Sequence, residues 1–298
     1  NPNDLMGDSA EETWANLQEQ EGQPLVNHAG AETLPPGSIF KIITTAAGLN
    51  NGFDPSSTLT GSNVITLPDT VTELTNYANQ KCNGQDAVTL QTAFALSCNT
   101  AFVEMSEQLG ADELRKYAKA FGVGENYDLG VSTSAGTLGD LPDGAATAQS
   151  AIGQRDVTMT ALQAAVMAGT VANKGTRMQP YLVNRITDAQ MKDVRTTKPK
   201  KADQAVNEET AATLTDLMYA SERSSAGYDG NGFASKTGTA EHGEGLAPHV
   251  WYVAFDPERD IAVGVVVKNG GNLGESATGG KVSGPIGRAI LRAYQGEQ

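Results

Sequence analysis

The sequence predicts an α+β fold, with an antiparallel sheet and a mostly helical lobe. Helical periodicity dominates the middle of the chain, where apolar residues after Thr89 recur at three- or four-residue steps. Runs of strand length, rich in β-branched and aromatic residues, follow near the end. The last two runs are joined by a short turn at 256–260, as in an antiparallel meander. Helices and strands segregated in this way are typical of α+β proteins.

The first part of the chain predicts two helices separated by a proline-rich turn. Residues 1–37 are acidic and polar, with a short helix expected at 11–20. The sequence LPPG at 34–37 stops regular structure, so Ser38 stands at a natural helix start. The next helix is predicted over 39–49, and an Asn-Asn-Gly turn ends it. Residues 54–86 are polar without clear periodicity and are predicted to form a loop.

The middle of the chain predicts helices broken at one polar triplet. Ser97-Cys98-Asn99 interrupts the helical pattern that begins after Thr89, because Ser and Asn side chains compete for backbone hydrogen bonds. Residues 122–150 carry many glycines and no firm period. Further helices are predicted at 112–121, 160–172 and 208–220, and a strand at 181–186.

The last third predicts the sheet and a closing helix. The strands are expected at 233–240, 250–255 and 261–268. A glycine-rich loop at 270–284 then leads into an amphipathic helix over 286–294.

Charge, hydropathy and composition argue against three interpretations of the given residues. The 298 residues carry 21 Lys and Arg against 35 Asp and Glu, a net charge of −14, so clustered cations for a nucleic-acid backbone are not expected. No apolar run approaches the roughly 18 residues of a membrane-spanning helix. At 39% hydrophobic and 19% charged, the chain can build a core and does not resemble a disordered acidic tail.

Common catalytic and metal-binding signatures are absent from the sequence. It contains no CxxC, HExxH, GxSxG or Walker-type glycine loop. His242 and His249 form the only suggestive histidine pair, but no third ligand is evident nearby. We therefore interpret both as surface histidines and expect neither a metal nor a cofactor.

A first candidate motif is Ser38-Ile39-Phe40-Lys41. Positions i and i+3 share one face of a helix, so the Lys41 amine can reach the Ser38 hydroxyl. The helix start favours a neutral lysine through its partial positive charge, and it presents backbone N–H groups to an oxyanion. By itself, the pattern equally fits a helix cap followed by an exposed lysine.

Two further motifs could complete a site. In Ser97-Cys98-Asn99, a hydroxyl and an amide two residues apart could carry a proton and hold a substrate amide. In Lys236-Thr237-Gly238-Thr239, a cation and two hydroxyls could grip a carboxylate, and Gly238 has no side chain to block a ligand lying along the strand. Singly, the two motifs also fit a polar helix break and an exposed strand end.

Together, and in this order, the three motifs resemble those of the penicillin-binding proteins, serine acyltransferases that also include the β-lactamases. The monofunctional class B type is most similar. The likeness runs from about residue 25 to the end, and includes the sequence LVNHAGAETLPPGSIFK that leads to Lys41 and the segment 150–183. The resemblance implies the fold of that family, an antiparallel sheet flanked by helices plus a mostly helical lobe.

The resemblance also implies a reaction. Ser38 would attack the penultimate D-Ala carbonyl of a peptidoglycan stem peptide, and Lys41 would take its proton. Ser97 would pass a proton to the leaving amine, with Asn99 and Lys41 holding the network. The acyl-enzyme would pass to an amine of a neighbouring stem and form a cross-link, and β-lactam antibiotics would acylate the same serine.

Substrate binding is implied for the third motif. Lys236, Thr237 and Thr239, on either side of Gly238, would bind the terminal carboxylate of the stem peptide or of penicillin. The backbone N–H groups of Ser38 and Thr239 would form the oxyanion hole.

Related activities are weighed against the same residues. A class A β-lactamase needs a Glu in an E-x-x-x-N loop, but residues 125–150 contain only Glu125, with Leu129 in place of the Asn. Class D lactamases and penicillin-sensor domains carry Ser-x-Val at the second motif, whereas this sequence has Asn99 in place of the Val. A D,D-carboxypeptidase shares all three motifs and stays open. A non-catalytic wall-binding module is the remaining alternative.

The resemblance finally suggests a compartment. Residues 1–298 are expected to be one transpeptidase domain, whose first strands, N-terminal pedestal and membrane anchor lie upstream. The domain itself is expected on the extracytoplasmic face of the membrane. Cell-division or elongation proteins are potential partners. In such an oxidising compartment we hypothesise a Cys82–Cys98 disulfide, the alternative being two unpaired buried thiols.

Overall fold

The chain folds into helices packed around a three-stranded antiparallel sheet. The computed structural model describes residues 2–243 and 245–296, so Asn1, Glu244 and the last two residues of the predicted domain lie outside the described residues. The helices are α1 (Ala10–Glu19), α2 (His28–Ala31), α3 (Lys41–Leu49), α4 (Leu90–Leu96), α5 (Asn99–Ala120), α6 (Gly144–Ala151), α7 (Ala161–Ala172), α8 (Glu208–Ser224) and α9 (Ser283–Gly296). The strands are β1 (Thr58–Thr60), β2 (Val64–Thr66), β3 (Glu73–Thr75), β4 (Ala87–Thr89), β5 (Thr176–Met178), β6 (Arg185–Thr187), β7 (Asp193–Thr196), β8 (Lys201–Gln204), β9 (Ala234–Ala240), β10 (His249–Asp256) and β11 (Ile261–Val267).

The central sheet has the order β11-β10-β9, with both pairs antiparallel and in unbroken register. Every residue of β10 is buried, because α7 and α9 pack against the sheet. A strand covered on both faces needs apolar residues throughout, which explains its continuous VWYVAF run. The α+β class and the three predicted strands are confirmed.

Helix α3 lies at the centre of the helical lobe. Its residues are buried from Lys41 to Gly48, and it packs against α5 and α8. A helix buried all round must be apolar on every face, as the sequence KIITTAAGL is apart from its first residue and two threonines. Lys41 is therefore a buried amine at the first position of a helix that is otherwise packed in the apolar core.

The predicted helix break at the polar triplet is confirmed. Helix α4 ends at Leu96, Ser97 adopts the left-handed conformation (φ 62°, ψ 39°), and α5 begins at Asn99. Helix α5 is itself interrupted at Gly110, where φ is 73° and ψ is 170°.

Two local predictions are wrong. Residues 54–86 contain strands β1, β2 and β3, each too short for a detectable alternation; β1 pairs with the distant β4. Near the end of residues 122–150, for which no element was predicted, helix α6 is capped by the Asp143 side chain, which accepts a hydrogen bond from the Ala146 N–H. The strand predicted at 181–186 is only Arg185–Thr187, because the exposed residues before it have no partner strand. Among the described residues, no helix is both long and apolar enough to cross a bilayer.

Candidate active site

The first motif occupies a tight turn that leads into α3. Residues Gly37–Phe40 form one turn of 3-10 helix, and the Lys41 Nζ lies 3.2 Å from the Ser38 Oγ. The turn is fixed from two sides: the Trp251 indole N–H donates to the Pro35 carbonyl at 2.8 Å, and the Gly37 N–H donates to the Gly153 carbonyl at 2.9 Å. The sheet and the segment after α6 thus hold the half-buried Ser38 in place.

The second motif forms the opposite wall. Left-handed backbone at Ser97 aims both its carbonyl and its hydroxyl at Lys41, whose Nζ lies 2.7 Å from Ser97 O and 3.3 Å from Ser97 Oγ. The Asn99 Oδ1 accepts a hydrogen bond from the same amine at 2.8 Å. The Asn99 amide in turn donates to the Thr75 carbonyl at 3.0 Å, which fixes its orientation.

Thr75 is a site residue that the sequence analysis misses. It contributes a backbone oxygen, which carries no side-chain signature, and it lies in β3, within the segment predicted to be a loop. No pattern in the sequence signals this contact.

The third motif lies on β9 at the edge of the described sheet. The Lys236 Nζ donates to the Ser97 Oγ at 2.9 Å and to the Thr237 carbonyl at 3.1 Å. Thr237 and Thr239 are partly exposed beside it. All three motifs therefore meet, with the Ser97 hydroxyl between the two lysine amines.

Gly238 also has a structural role that the sequence did not predict. A Cβ at this position would lie 2.8 Å from the Pro36 carbonyl oxygen and 3.1 Å from the Ile39 side chain. The missing side chain therefore makes room for the nucleophile turn, and the room expected for a ligand along the strand stays a prediction. Gly238 lets β9 approach Ser38 closely.

Both amines are desolvated. Burial, and then the positive charge of Lys236, lower the pKa of Lys41 well below its ordinary value of 10.5. Burial lowers the pKa of Lys236 to about 7. Aromatic rings lie close to both amines, that of Phe102 at 5.2 Å from Lys41 Nζ and that of Phe94 at 5.7 Å from Lys236 Nζ. Burial, and the effect of the Lys236 charge on Lys41, therefore disfavour a state in which both amines are charged.

Comparison with known proteins identifies the family. Residues 3–292 match the family model described as the penicillin binding protein transpeptidase domain. The chain belongs to this family. It is 44% identical over 291 residues to the peptidoglycan D,D-transpeptidase PbpA of Mycolicibacterium smegmatis, and the matched region covers 95% of this chain and 59% of that protein. It is 42% identical over 296 residues to PbpA of Mycobacterium tuberculosis H37Rv, which covers 96% of this chain and 60% of that protein.

A solved structure agrees with these relatives. The ceftriaxone acyl-enzyme complex of penicillin-binding protein A from Mycobacterium tuberculosis matches with a TM-score of 0.91 and 41% identity, over 95% of this chain and 66% of that chain. The chain spans 59–60% of the length of the two curated relatives. The family fold is confirmed. So is the similarity to actinobacterial penicillin-binding protein A, which the sequence SCNTAF and the acidic, Ala- and Thr-rich composition also favour.

A disulfide buttresses the second motif of this transpeptidase domain. Cys82 and Cys98 are joined, with Cα atoms 5.7 Å apart, as hypothesised from the sequence. Because Cys98 lies between Ser97 and Asn99, the bridge ties both of these residues to the segment that precedes β4. Both cysteines are buried.

The histidine pair is only partly as expected. The rings of His242 and His249 stack with centroids 3.9 Å apart, and His249 is buried where a surface position was predicted. Its Nδ1 accepts a hydrogen bond from the Asn269 N–H, so the side chain serves the local packing. Among the described residues, no group of three or more His, Cys, Asp or Glu side chains is arranged to hold a metal ion.

Proposed function

We propose that this domain is a peptidoglycan D,D-transpeptidase that works through an acyl-enzyme on Ser38 and is inhibited covalently by β-lactams. The observation that carries the proposal is the placement of a buried lysine amine 3.2 Å from the Ser38 hydroxyl, with Lys236 and Ser97 completing a second hydrogen bond of 2.9 Å. The names of the curated relatives and the acyl-enzyme structure of penicillin-binding protein A support it.

Lys41 is proposed as the general base. A neutral amine has two hydrogens and one lone pair, and two oxygens that can only accept lie 2.7 and 2.8 Å away, on Ser97 and Asn99. Those oxygens take both hydrogens. The lone pair is then left for a hydroxyl donor, and the Ser38 Oγ at 3.2 Å is within reach. The lowered pKa of Lys41 keeps the amine neutral for this step.

Acylation then follows with its protons balanced. As the Ser38 oxygen bonds to the carbonyl carbon, its proton passes to Lys41, and the negative oxygen is stabilised by the backbone N–H groups of Ser38 and Thr239. The proton returns through the Ser97 hydroxyl, 3.3 Å from Lys41 Nζ, to the nitrogen of the departing D-Ala. The carbon–nitrogen bond breaks and an ester remains.

The third motif is proposed to recognise the terminal carboxylate. A Lys236 amine whose pKa is about 7 is substantially protonated at neutral pH, and an incoming carboxylate favours the charged form further. The partly exposed hydroxyls of Thr237 and Thr239 complete the carboxylate site. In penicillin, the ring carboxylate would occupy the same place.

Transfer to an amine is proposed in preference to rapid hydrolysis. The only glutamate in the loop where a class A β-lactamase carries its water-activating residue is Glu125, and Arg177 holds its carboxylate at 2.5 Å. Because its carboxylate is held in this ion pair, Glu125 does not serve as the base that activates a hydrolytic water. The ester on Ser38 then persists until a stem-peptide amine attacks it.

We place this chemistry outside the cytoplasmic membrane. The disulfide is typical of an oxidising compartment, and stem peptides are cross-linked in the wall. Anchoring to the membrane and contact with cell-division or elongation proteins stay predictions.

A product assay tests the proposed function. The protein is incubated with a stem pentapeptide ending in D-Ala-D-Ala, with and without a second peptide that carries a free side-chain amine, and the products are resolved by mass. We expect a cross-linked dimer and free D-Ala from the wild type, and neither from Ser38→Ala. If the wild type gave only the trimmed tetrapeptide, the protein would be a carboxypeptidase and not a transpeptidase. If the wild type gave no product in either incubation, a non-catalytic wall-binding module would be the remaining alternative.

A further inference from the structure

A buried carboxylate lies behind the third motif. Glu222 is 1% exposed, and its Oε1 accepts hydrogen bonds from the Arg288 Nε at 2.7 Å and the Asn231 amide at 2.9 Å. Its Oε2 accepts from the Tyr252 hydroxyl at 3.0 Å and from the Ser235 hydroxyl. One side chain of α8 thus ties together α9, β10, β9 and the loop that precedes β9.

The position of Glu222 in its own helix does not explain its negative charge. Glu222 lies in the last turn of α8, where the helix dipole disfavours a negative charge. Burial raises the pKa of its carboxyl, but the hydrogen bonds from Arg288, Ser235 and Asn231 outweigh that effect, so its pKa is lowered and the carboxylate stays charged. Arg288 is satisfied too, since it also donates to the Ala226 carbonyl and the Ser225 hydroxyl, each at 3.0 Å. The position is explained by tertiary contacts alone.

Ser235 links this network to the active site. Successive side chains of a strand point to opposite faces, so Ser235 is anchored from behind while Lys236 faces the cleft and reaches the Ser97 hydroxyl. In the described sheet, β9 pairs only with β10, and its other edge lacks a ladder of backbone hydrogen bonds. An edge strand that must hold an amine at hydrogen-bond distance needs another fixed point, and the Glu222 carboxylate supplies it.

We propose that Glu222, held by Arg288, is a positioning residue that fixes β9 so that Lys236 and Thr237 meet the substrate carboxylate. The inference rests on the proposed function, because it concerns how that function recognises its substrate. Displacements of about 1 Å in such a site cost up to about 100-fold in rate, so loss of one anchoring hydrogen bond is expected to cost about tenfold.

Two matched variants test the proposal. Ser235→Ala and Tyr252→Phe each remove one hydroxyl that donates to the same oxygen of Glu222, but only Ser235 belongs to the strand that carries Lys236. For each purified variant, the rate of acylation is measured with benzylpenicillin and with its methyl ester, which lacks the carboxylate charge. The ratio of the two rates does not depend on the fraction of folded protein, so a merely structural defect leaves it unchanged.

We expect the acid-to-ester ratio to fall about tenfold in Ser235→Ala and to stay within about twofold of the wild type in Tyr252→Phe. Equal ratios in all three proteins, or equal losses in both variants, would overturn the positioning role. Failure of the wild type to be acylated by benzylpenicillin at all would count against the proposed function itself, so the two failures are distinguishable.

Discussion

Substitution of Asn99 by Asp probes the catalytic base directly, because it adds a charge beside Lys41 while keeping the shape of the side chain. The Asn99 Oδ1 lies 2.8 Å from the Lys41 Nζ. Burial and the charge of Lys236 now lower the pKa of Lys41. A carboxylate in place of the amide stabilises the protonated amine and raises that pKa.

The size of the effect follows from the distance. Two unit charges 2.8 Å apart attract each other by about 6 kcal/mol at an effective dielectric constant of about 20, which corresponds to about four pKa units as an upper limit. Desolvation of the new carboxylate and repulsion from the Thr75 carbonyl, which now accepts the Asn99 amide hydrogen at 3.0 Å, reduce the gain. We expect the pKa of Lys41 to rise by about two units.

The assay is the second-order rate of acylation by a fluorescent penicillin as a function of pH. Because the neutral amine is the active form, Asn99→Asp should shift the acid limb to higher pH by about two units and lower the rate below that limb about 100-fold. Asn99→Ala is the control, since it removes the amide without adding charge and should slow acylation with no such shift. An acid limb that stays in place in Asn99→Asp would refute Lys41 as the base.

Other features of the site yield further expectations. Lys236 is active when protonated and its pKa is about 7, so the rate should fall as the pH rises above that value. Lys236→Gln should abolish this alkaline limb, raise the pKa of Lys41 and weaken carboxylate recognition about 10- to 100-fold, as acylation kinetics would reveal; an unchanged limb would contradict the assignment. Cys98→Ser, which opens the loop of 16 residues closed with Cys82, should lower the free energy of unfolding in urea by about 3 kcal/mol. Two free thiols in the denatured, unreduced wild type would disprove the bridge. Gly238→Ala should destabilise the fold by about 1–3 kcal/mol and slow acylation, because its Cβ meets a carbonyl oxygen at 2.8 Å. A variant with wild-type stability would show that the nucleophile turn can yield.

Sequence reasoning predicted the parts of the site that depend on local spacing. The contact between Ser38 and Lys41 follows from one helical turn, and the structure has it at 3.2 Å. The Lys236–Ser97 contact joins residues 139 positions apart, so no local pattern could predict it, and the family resemblance implied only that the two motifs belong to one site. Contacts between residues that are far apart in the chain leave no local pattern from which a single sequence can predict them.

Two further positions show what the sequence could not reveal. Glu222 reads as one more acidic residue on a polar helix, because burial of a charged side chain depends on partners from other elements. Gly238 was predicted to leave room for a ligand; its close approach to Pro36, which a Cβ would block, becomes known only when β9 and the nucleophile turn are both placed. In both cases the residue type is visible in the sequence and its neighbours are not.

The central claim is that Ser38 forms a long-lived ester in an acyl-transfer reaction. Intact-mass analysis of the wild type and of Ser38→Ala, followed over time after mixing with benzylpenicillin, tests it most directly. We predict a single stable adduct of one penicillin on the wild type and no adduct on Ser38→Ala, with both proteins equally folded. Persistent stoichiometric labelling of Ser38→Ala would contradict the nucleophile, and quick return of the wild type to its free mass would indicate a β-lactamase instead.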